Sequence, residues 1–262
     1  MKLRIATLNV KGMAGPSKFS KTANLLKTYK DIDIIAIQET NINIENLQKT
    51  TKKWPKDSFW SPHVAILINN RKIQVKTVFS KSTRSMVMDF SLHDINYRIE
   101  NIYVPPDRRR RRRFLEDWFP SDNGGNYILA GDYNLNLFPP NRLNNNLPKK
   151  DATKDAFQRR ITHLQDTQML ATIPSMQTFS QVTAGNKIIA NKIDYIHLSP
   201  RFTGVRVKLE TRTGNSDHLL LLATLSGKSE YKDSTQWKLN TRILEIKEIR
   251  EKATDELLNG KT

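Results

Sequence analysis

The sequence predicts an α/β fold built on mostly antiparallel sheets. Nine short runs have the apolar pattern of strands, and four segments between them have the pattern of helices. Many strands with helices between them indicate an α/β arrangement, and alternating runs indicate sheets buried on one face. The 262 residues, 37% of them hydrophobic, suffice for one large domain with a sizeable core.

The strand-like runs recur along the chain as far as residue 225. Some alternate between apolar and polar residues, and others are almost continuously apolar. In order they are residues 3–9, 33–39, 63–69, 73–79, 86–92, 97–104, 127–132, 192–199 and 218–225.

Helices are predicted over residues 17–30, 44–54, 109–118 and 153–170. In the last segment Phe157, Ile161, Leu164 and Gln168 follow helical spacing. Thr153 is its expected N-cap, because a threonine hydroxyl can accept the free N–H groups of a first turn.

The chain changes character near residue 226, where a polar, linker-like stretch precedes a highly charged segment with a helical pattern. We therefore predict a folded domain over residues 1–226 and a charged linker and helical tail over residues 227–262. A loop rich in Asn and Pro, residues 138–151, follows the seventh strand-like run.

The formal net charge is +17, with a pI near 10.0. From residue 226 onward, eight Lys and Arg face seven Asp and Glu, so the tail contributes +1 and +16 remains on the folded part. Such an excess favours a polyanionic partner, above all nucleic acid, over the simpler interpretation that the charge serves solubility or belongs to a disordered tail.

The absence of cysteine excludes disulfides and every thiolate metal site. A metal would need oxygen or imidazole ligands, which favours hard cations such as Mg²⁺ or Mn²⁺. The first residues lack the apolar core of a signal peptide, and no apolar stretch approaches the ~20 residues that span a bilayer. We expect an intracellular protein without a membrane partner, nuclear if the source is a eukaryote; the sequence gives no oligomeric state.

Acids and amides stand at the ends of several apolar runs. In "YILAGDYNLN", Asp132 and Asn134 are two residues apart, so alternation along a strand would place them on one side. Each such residue alone has an ordinary explanation as a turn, a cap or a solvated strand end. Together they predict a Mg²⁺ site with a general base beside it, formed by Asn9, Glu39, Asp132, Asn134, Asp194, Asp217 and His218.

The motifs "LNV", "QET", "NIYVPP", "GDYN", "KIDYI" and "SDH" occur in this order between residue 3 and about residue 225. This set resembles the endonuclease/exonuclease/phosphatase family, which includes abasic endonucleases, pancreatic-type DNase and the endonucleases of LINE-type retrotransposons. The resemblance implies a four-layer αββα sandwich, in which two mixed β-sheets lie face to face with helices outside. It also implies an active site at one rim, where strand ends converge.

The resemblance further implies roles for individual residues. Glu39 would be the central Mg²⁺ ligand, with Asn9 and Asp217 near the ion. Asp132 and Asn134 would orient the attacking water and the phosphate, and Tyr103 would contact the phosphate. Asp194 would orient His218. Thr178, with Ser180 beside it, would support the phosphate pocket. His63, His93, His163 and His197 match no motif, and whether Asp132 or His218 is the general base stays open.

Six consecutive arginines, Arg108 to Arg113, follow Tyr103 closely. Three interpretations of this run are open: the solvated start of a helix, a nuclear-import signal, or a set of contacts to DNA phosphates. We expect nucleic-acid contact by part of the run, with Arg109, Arg110, Arg111, Arg112 and Arg113 as the candidates.

Two features point to one branch of the family. Abasic-site enzymes generally have a Trp just before the "KID" motif, whereas this chain has Asn191. The tail segment "WKLNTRILEIKEIREKA" resembles the segment that follows the endonuclease in LINE-type polyproteins. The predicted function is a Mg²⁺-dependent endonuclease that nicks DNA. The alternatives are a repair enzyme or other phosphoesterase of the same fold, and a decayed copy that binds nucleic acid without cutting.

Overall fold

The computed structural model describes residues 2–47, 49, 52, 54, 57–137, 151–173, 176–182, 186, 188–214 and 216–227. The chain divides into the units Met1–Lys228 and Ser229–Thr262, the second of which lies outside the described residues. Almost all of the predicted loop at 138–151 and of the predicted tail also lies outside them. None of the described helices is long and apolar enough to cross a membrane.

The described part of the chain contains fourteen strands and four α-helices, with 3₁₀ turns at Ile44–Asn46 and Pro200–Phe202. The strands are β1 Lys2–Asn9, β2 Ile34–Gln38, β3 Ser58–Trp60, β4 Val64–Ile68, β5 Gln74–Ser82, β6 Ser85–Leu92, β7 Ile95–Tyr103, β8 Asn126–Asp132, β9 Gln165–Asp166, β10 Phe179–Val182, β11 Ile188–Asn191, β12 Asp194–Leu198, β13 Arg206–Arg212 and β14 Leu220–Ser226. The helices are α1 Pro16–Thr28, α2 Arg108–Asp117, α3 Ala152–Ile161 and α4 Thr167–Leu170.

The strands form two six-stranded sheets and a separate hairpin, β10–β11. The first sheet has the order β13-β14-β1-β2-β4-β3, and the second has the order β5-β6-β7-β8-β12-β9. Both are mixed, since β1 is parallel to β2 and β7 is parallel to β8 while the other pairs are antiparallel. With helices flanking the two sheets, this confirms the predicted α/β sandwich.

Neighbouring strand residues pack into different layers of core. Ile34 lies in the core between the sheets, whereas Ile35 packs with Leu26 of α1 on the outer face of the first sheet. On the second sheet, Leu129 packs with Phe157 of α3 on the outer face. Because helices cover the outer faces, both sides of the central strands are apolar, which explains the continuous runs in the sequence.

A fully buried polar network joins the two sheets. Gln38 of β2 donates through Nε2 to Oδ1 of Asn101 in β7, at 2.7 Å. Asn101 in turn donates through Nδ2 to the carbonyl oxygens of Ile37 and Ala65 in the first sheet, at 2.9 and 2.8 Å. These bonds satisfy groups that no water reaches, and they fix the position of β7 over β2.

The predicted helix at 153–170 is not continuous. Helix α3 ends at Ile161, and Gln165 and Asp166 instead form the edge strand β9, which pairs with β12 before α4 begins. Sheet pairing therefore overrides the helical spacing of the apolar residues. The N-cap prediction was also wrong, because the Asp151 carboxylate accepts from the Thr153 backbone N–H at 3.0 Å.

Several elements were not predicted from the pattern. Strands β3, β9, β10, β11 and β13 are short, polar or at sheet edges, so their apolar alternation is weak. The helix predicted at 44–54 begins as the 3₁₀ turn Ile44–Asn46, and part of the remainder lies outside the described residues.

Candidate active site

The strand register brings the predicted residues to one rim. Asn9 ends β1 level with Gln38 of the parallel strand β2, so Glu39 follows directly beside it. In the second sheet, Tyr103 at the end of β7 is level with Asp132 at the end of β8. Asp194 starts the antiparallel strand β12 opposite Asp132. Ends of parallel strands and starts of antiparallel ones thus meet at the same edge.

Glycine is required immediately before the Asp132 position. Gly131 has φ 152°, and a Cβ there would lie 2.0 Å from the Ile102 carbonyl oxygen of β7. A side chain at this position would push β8 away from β7. The glycine of the "GDYN" motif therefore lets the two strands stay paired up to the residue that faces the site.

Asp132 and Asn134 meet through a turn and not through strand alternation. Strand β8 ends at Asp132, and Asn134 has the left-handed φ of 47°. The Asn134 backbone N–H donates to Asp132 Oδ1 at 2.8 Å, and Asn134 Nδ2 donates to Oδ2 at 3.2 Å and to the Val104 carbonyl at 2.8 Å. The expected proximity is present, but its predicted cause was wrong: the turn itself builds this part of the site.

Asn9 completes the support of Asp132. Its Nδ2 donates to Asp132 Oδ2 at 2.8 Å, and its Oδ1 accepts from the Lys11 backbone N–H at 2.9 Å. Asn9 and Asp132 are both buried. The side-chain amides of Asn9 and Asn134 therefore fix the carboxylate from two sides, as a group that handles a proton or a cation requires.

His218 is paired with Asp194. Its Nδ1 lies 2.9 Å from Asp194 Oδ2, which leaves Nε2 as the ring nitrogen available to a substrate. Asp194 is completely buried, and its Oδ1 is a buried oxygen without a hydrogen-bond partner in the described part of the structure.

Thr178 holds this pair in position. Its Oγ1 accepts from the backbone N–H groups of Ile193 and Asp194 at 3.2 and 3.1 Å. Its carbonyl accepts from the N–H of Leu219, directly after His218, at 2.7 Å. Thr178 is fully buried, so its hydroxyl serves the backbone around Asp194, while its predicted support of a phosphate remains a prediction.

Burial and charge perturb the site strongly. Burial, with the charge of Asp194 as a second cause, raises the pKa of Asp132 to about 8. Burial lowers the pKa of His218, but its hydrogen bond to Asp194 and the nearby carboxylates outweigh this and raise the pKa to about 9. The raised pKa values mean that protons on Asp132 and His218 offset the negative charge of the carboxylates at the rim.

A divalent cation would supply the same compensation. Oxygen or nitrogen atoms of Asp132, Asp194 and His218 lie within 4.8 Å of one another, and they form the one such acid or histidine group of three among the described residues. Asp217 Oδ1 is a second buried oxygen without a hydrogen-bond partner in the described structure. Unpaired carboxylate oxygens in a cysteine-free rim fit a hard cation such as Mg²⁺.

Glu39 and Tyr103 form a neighbouring group. Glu39 has the left-handed φ of 54°, uncommon for a residue with a side chain, and its carboxylate accepts the Tyr103 hydroxyl. Burial, together with Glu39, raises the pKa of Tyr103, so the hydroxyl stays a donor. The guanidinium of Arg84 stacks on the Tyr103 ring at 4.6 Å.

Two basic residues at the rim were missed by sequence reasoning. Lys11 forms an ion pair with Asp217 through Nζ at 2.7 Å, and Arg84 lies over Tyr103. Lys11 follows Asn9 by two residues, which was a usable signal. Arg84 lies in the turn between β5 and β6 and reaches the site only through tertiary folding.

Residues 6–218 match the model of the Endonuclease/Exonuclease/phosphatase family. The chain belongs to this family. The match spans every site motif from β1 to His218, and it makes the fold a nuclease and phosphoesterase fold. Sequence comparison with curated proteins finds no match.

Solved structures of the endonuclease/exonuclease/phosphatase fold resemble the chain, each over 86% of its length. AP endonuclease LMAP from Leishmania major has a TM-score of 0.64 at 14% identity, with 87% of that chain covered. D. rerio TDP2, complexed with a single-strand DNA product, has a TM-score of 0.61 at 15% identity, with 99% of that chain covered. The endonuclease domain of TRAS1, a telomere-specific non-LTR retrotransposon, has a TM-score of 0.56 at 13% identity, with 99% of that chain covered. Identities this low show the shared fold alone.

Helix α2 exposes most arginines of the run and buries one of them. Arg109, Arg110, Arg112 and Arg113 are exposed on α2, but Arg111 is buried. Its guanidinium donates to the Asn134 carbonyl, the Pro106 carbonyl and Thr153 Oγ1 at 3.0, 3.2 and 3.0 Å. The expectation that Arg111 contacts nucleic acid does not agree with this placement, since its donors are bonded inside the protein.

The last predicted site residue, Ser180, and two histidines to which no role was assigned lie as follows. Ser180 is exposed, and its backbone N–H donates to the Asp217 carbonyl at 2.9 Å. His197 lies in the core, with Nδ1 3.1 Å from the Tyr133 hydroxyl. The ring of His63 lies 6.3 Å from that of Tyr103, so it is near the rim although no motif marks it.

Proposed function

We propose that the chain is a metal-dependent endonuclease that nicks one strand of DNA and leaves a 3′-hydroxyl, as retrotransposon endonucleases do. The observation that supports this best is the buried triad of Asp132, Asp194 and His218, with ligand atoms within 4.8 Å of one another at the rim. A proton acceptor and a cationic donor side by side are what phosphodiester hydrolysis requires.

In this mechanism Asp132 and His218 divide the work. Asp132, held by Asn9 and Asn134, takes the proton of the attacking water as the water oxygen bonds to phosphorus. The bond between phosphorus and O3′ breaks, and O3′ takes a proton from solvent to become the 3′-hydroxyl. His218, kept protonated and oriented by Asp194, donates through Nε2 to a phosphate oxygen and stabilises the charge that develops there. Tyr103 would add a second hydrogen bond to the phosphate.

Glu39 would be the central ligand of the cation, with Asn9, Asp217 and the unpaired Oδ1 of Asp194 close by. A bound Mg²⁺ or Mn²⁺ would place positive charge at a phosphate oxygen and favour the ionised carboxylates. The opposed Asp132 and Asp194 then no longer repel each other across the β8–β12 pair.

The net charge and the fold relatives support DNA as the substrate. The +16 on residues before 226 suits a polyanion, and the structural relatives include a retrotransposon endonuclease and a protein solved with single-strand DNA. The abasic-site alternative is less favoured because Asn191, not Trp, precedes the "KID" motif. A DNA substrate would place the activity in the nucleus of a eukaryotic cell.

A plasmid assay tests the proposal. Supercoiled DNA incubated with the protein and Mg²⁺ should convert to the nicked circle, and EDTA should prevent the conversion. Asp132→Ala and His218→Ala should each lower the nicking rate by about 10²- to 10⁴-fold, the usual contribution of a group that transfers or donates a proton.

His163→Ala is the matched control, because His163 also faces an aspartate, with Nε2 3.3 Å from Asp122, but on the surface. It should nick like the parent protein. Much faster cutting of an abasic duplex than of intact DNA would favour a repair enzyme instead. Binding without metal-dependent cutting would indicate a decayed copy.

A further inference from the structure

A groove of about 840 Å³ runs between α2 and α3 on the outer face of the second sheet. Four arginines line it, and the acids beside them, Asp107 and Glu116, leave a net charge of +2. Asp107 caps α2, accepting the Arg110 N–H at 2.8 Å. The lining arginines are Arg108, Arg109, Arg112 and Arg160.

The two helices run side by side in the same direction. Arg111 joins their starts, since its guanidinium bonds Thr153 of α3, while Arg160 of α3 donates to the Trp118 carbonyl at the end of α2. With a rise of about 1.5 Å per residue, such a groove is roughly 15 Å long. That length accommodates a short stretch of the phosphate backbone of one DNA strand.

The groove begins beside the active-site turn. The same Arg111 side chain that bonds Thr153 also bonds the Asn134 carbonyl at 3.0 Å, so one side chain separates the groove from the Asp132–Asn134 turn. A strand whose phosphate lies at the rim can therefore continue between α2 and α3.

The three groove cations that α2 supplies are available for a ligand, whereas Arg160 of α3 bonds the Trp118 carbonyl and stacks on the Phe119 ring at 4.1 Å. The side chain of Arg112 is 78% exposed and its pair with Glu116, at 3.4 Å, is a surface contact. Arg108 is 68% exposed and lies 3.9 Å from Asp151. Arg109 has no acidic partner among the residues that the structure describes.

We propose that this groove binds the phosphate backbone of the DNA that flanks the cleaved bond, through Arg108, Arg109 and Arg112 of α2. The inference rests on the proposed function for its substrate class. It divides the arginine run into three parts: groove residues, the buried link Arg111, and Arg110 and Arg113, which lie on α2 but do not line the groove.

The test compares two double variants of equal charge on the same helix. Arg109→Gln with Arg112→Gln removes two groove cations, and Arg110→Gln with Arg113→Gln removes two exposed cations outside it. Binding of a labelled DNA duplex to the full chain is measured in EDTA, so that no cutting occurs, over a series of salt concentrations.

The groove pair should weaken binding by about 10- to 50-fold and lower the salt slope by about 2, as expected for two lost phosphate contacts. The control pair should change binding by less than about threefold, since distant charges are largely screened. Glu116→Gln, which removes an acid from the groove, should tighten binding.

Equal effects of the two pairs, or no effect of either, would overturn the groove assignment. The plasmid assay separates this from the proposed function. If the parent protein nicks plasmid DNA but the two double variants bind DNA equally well, the groove assignment alone is contradicted. If only the groove variant loses binding and the parent protein does not nick, the catalytic proposal is contradicted and the groove assignment is supported.

Discussion

At the scale of single residues, neighbours in sequence have unrelated tasks. Arg111 lies among exposed arginines of identical chemistry, yet it is buried and ties α2 to Asn134 and α3. The two histidines closest to the "KID" and "SDH" motifs also differ, since His218 is paired with an aspartate while His197 is enclosed by aromatic rings.

His197 predicts a pH-dependent stability. Burial lowers its pKa to about 4, whereas a histidine in the unfolded chain has its ordinary pKa of 6.5. Below pH 6.5 the unfolded chain binds the proton first, so stability falls as the pH drops towards 4. Between about pH 7 and pH 5 the loss from this residue is about 2 kcal/mol.

Urea unfolding of the parent protein and His197→Gln at both pH values measures this loss. The variant should lack that part of the pH dependence, whereas the exposed His163→Gln should retain it. An identical dependence in His197→Gln would exclude His197 as the cause.

At the scale of elements, the β10–β11 hairpin determines where the His–Asp pair lies. Phe179 bridges to His218, and Thr178 bonds the backbone around Asp194 and the N–H of Leu219. A hairpin that is hardly visible in the sequence pattern thus fixes the start of two strands that carry site residues.

Thr178→Val tests this positioning. It removes the acceptor of two buried backbone N–H groups, which should cost about 1–3 kcal/mol of stability and displace Asp194. We expect a lower kcat for nicking with little change in KM, because no DNA contact is lost.

Thr178→Ser keeps the hydroxyl and should restore kcat. If Thr178→Val raised KM and left kcat unchanged, Thr178 would be a substrate-binding residue, as its motif suggested, and not a positioning one.

At the scale of the whole molecule, the site depends on how the two sheets face each other. Asn9 ends a strand of the first sheet, and Glu39 and Asp217 lie just outside its strands, whereas Tyr103, Asp132 and Asp194 belong to the second sheet. The buried bonds of Asn101 to Gln38, Ile37 and Ala65 hold the sheets in register below the rim.

Asn101→Leu should destabilise the protein by about 2–4 kcal/mol, because it leaves buried donors and acceptors unpaired. Asn96→Leu, the same change at an exposed position of β7, should cost less than about 0.5 kcal/mol. Chemical denaturation measures both. Similar values for the two variants would show that the network contributes little to holding the sheets together.

The sequence pattern by itself determined the α/β class and the main strands, because apolar periodicity reports burial directly. The sandwich arrangement was implied by the resemblance to the family. The sequence also selected the acids, amides and His218, since their types and order carry the chemistry. The domain boundary near residue 226 and the tail stay predictions.

Only the tertiary structure decided which residues meet. The support of Asp132 by Asn9, the role of Thr178, the approach of Arg84 to Tyr103 and the burial of Arg111 all depend on contacts between residues far apart in the chain. Local periodicity reports which side of an element a residue occupies. It cannot report which element covers that side, because covering is decided by packing over the whole molecule.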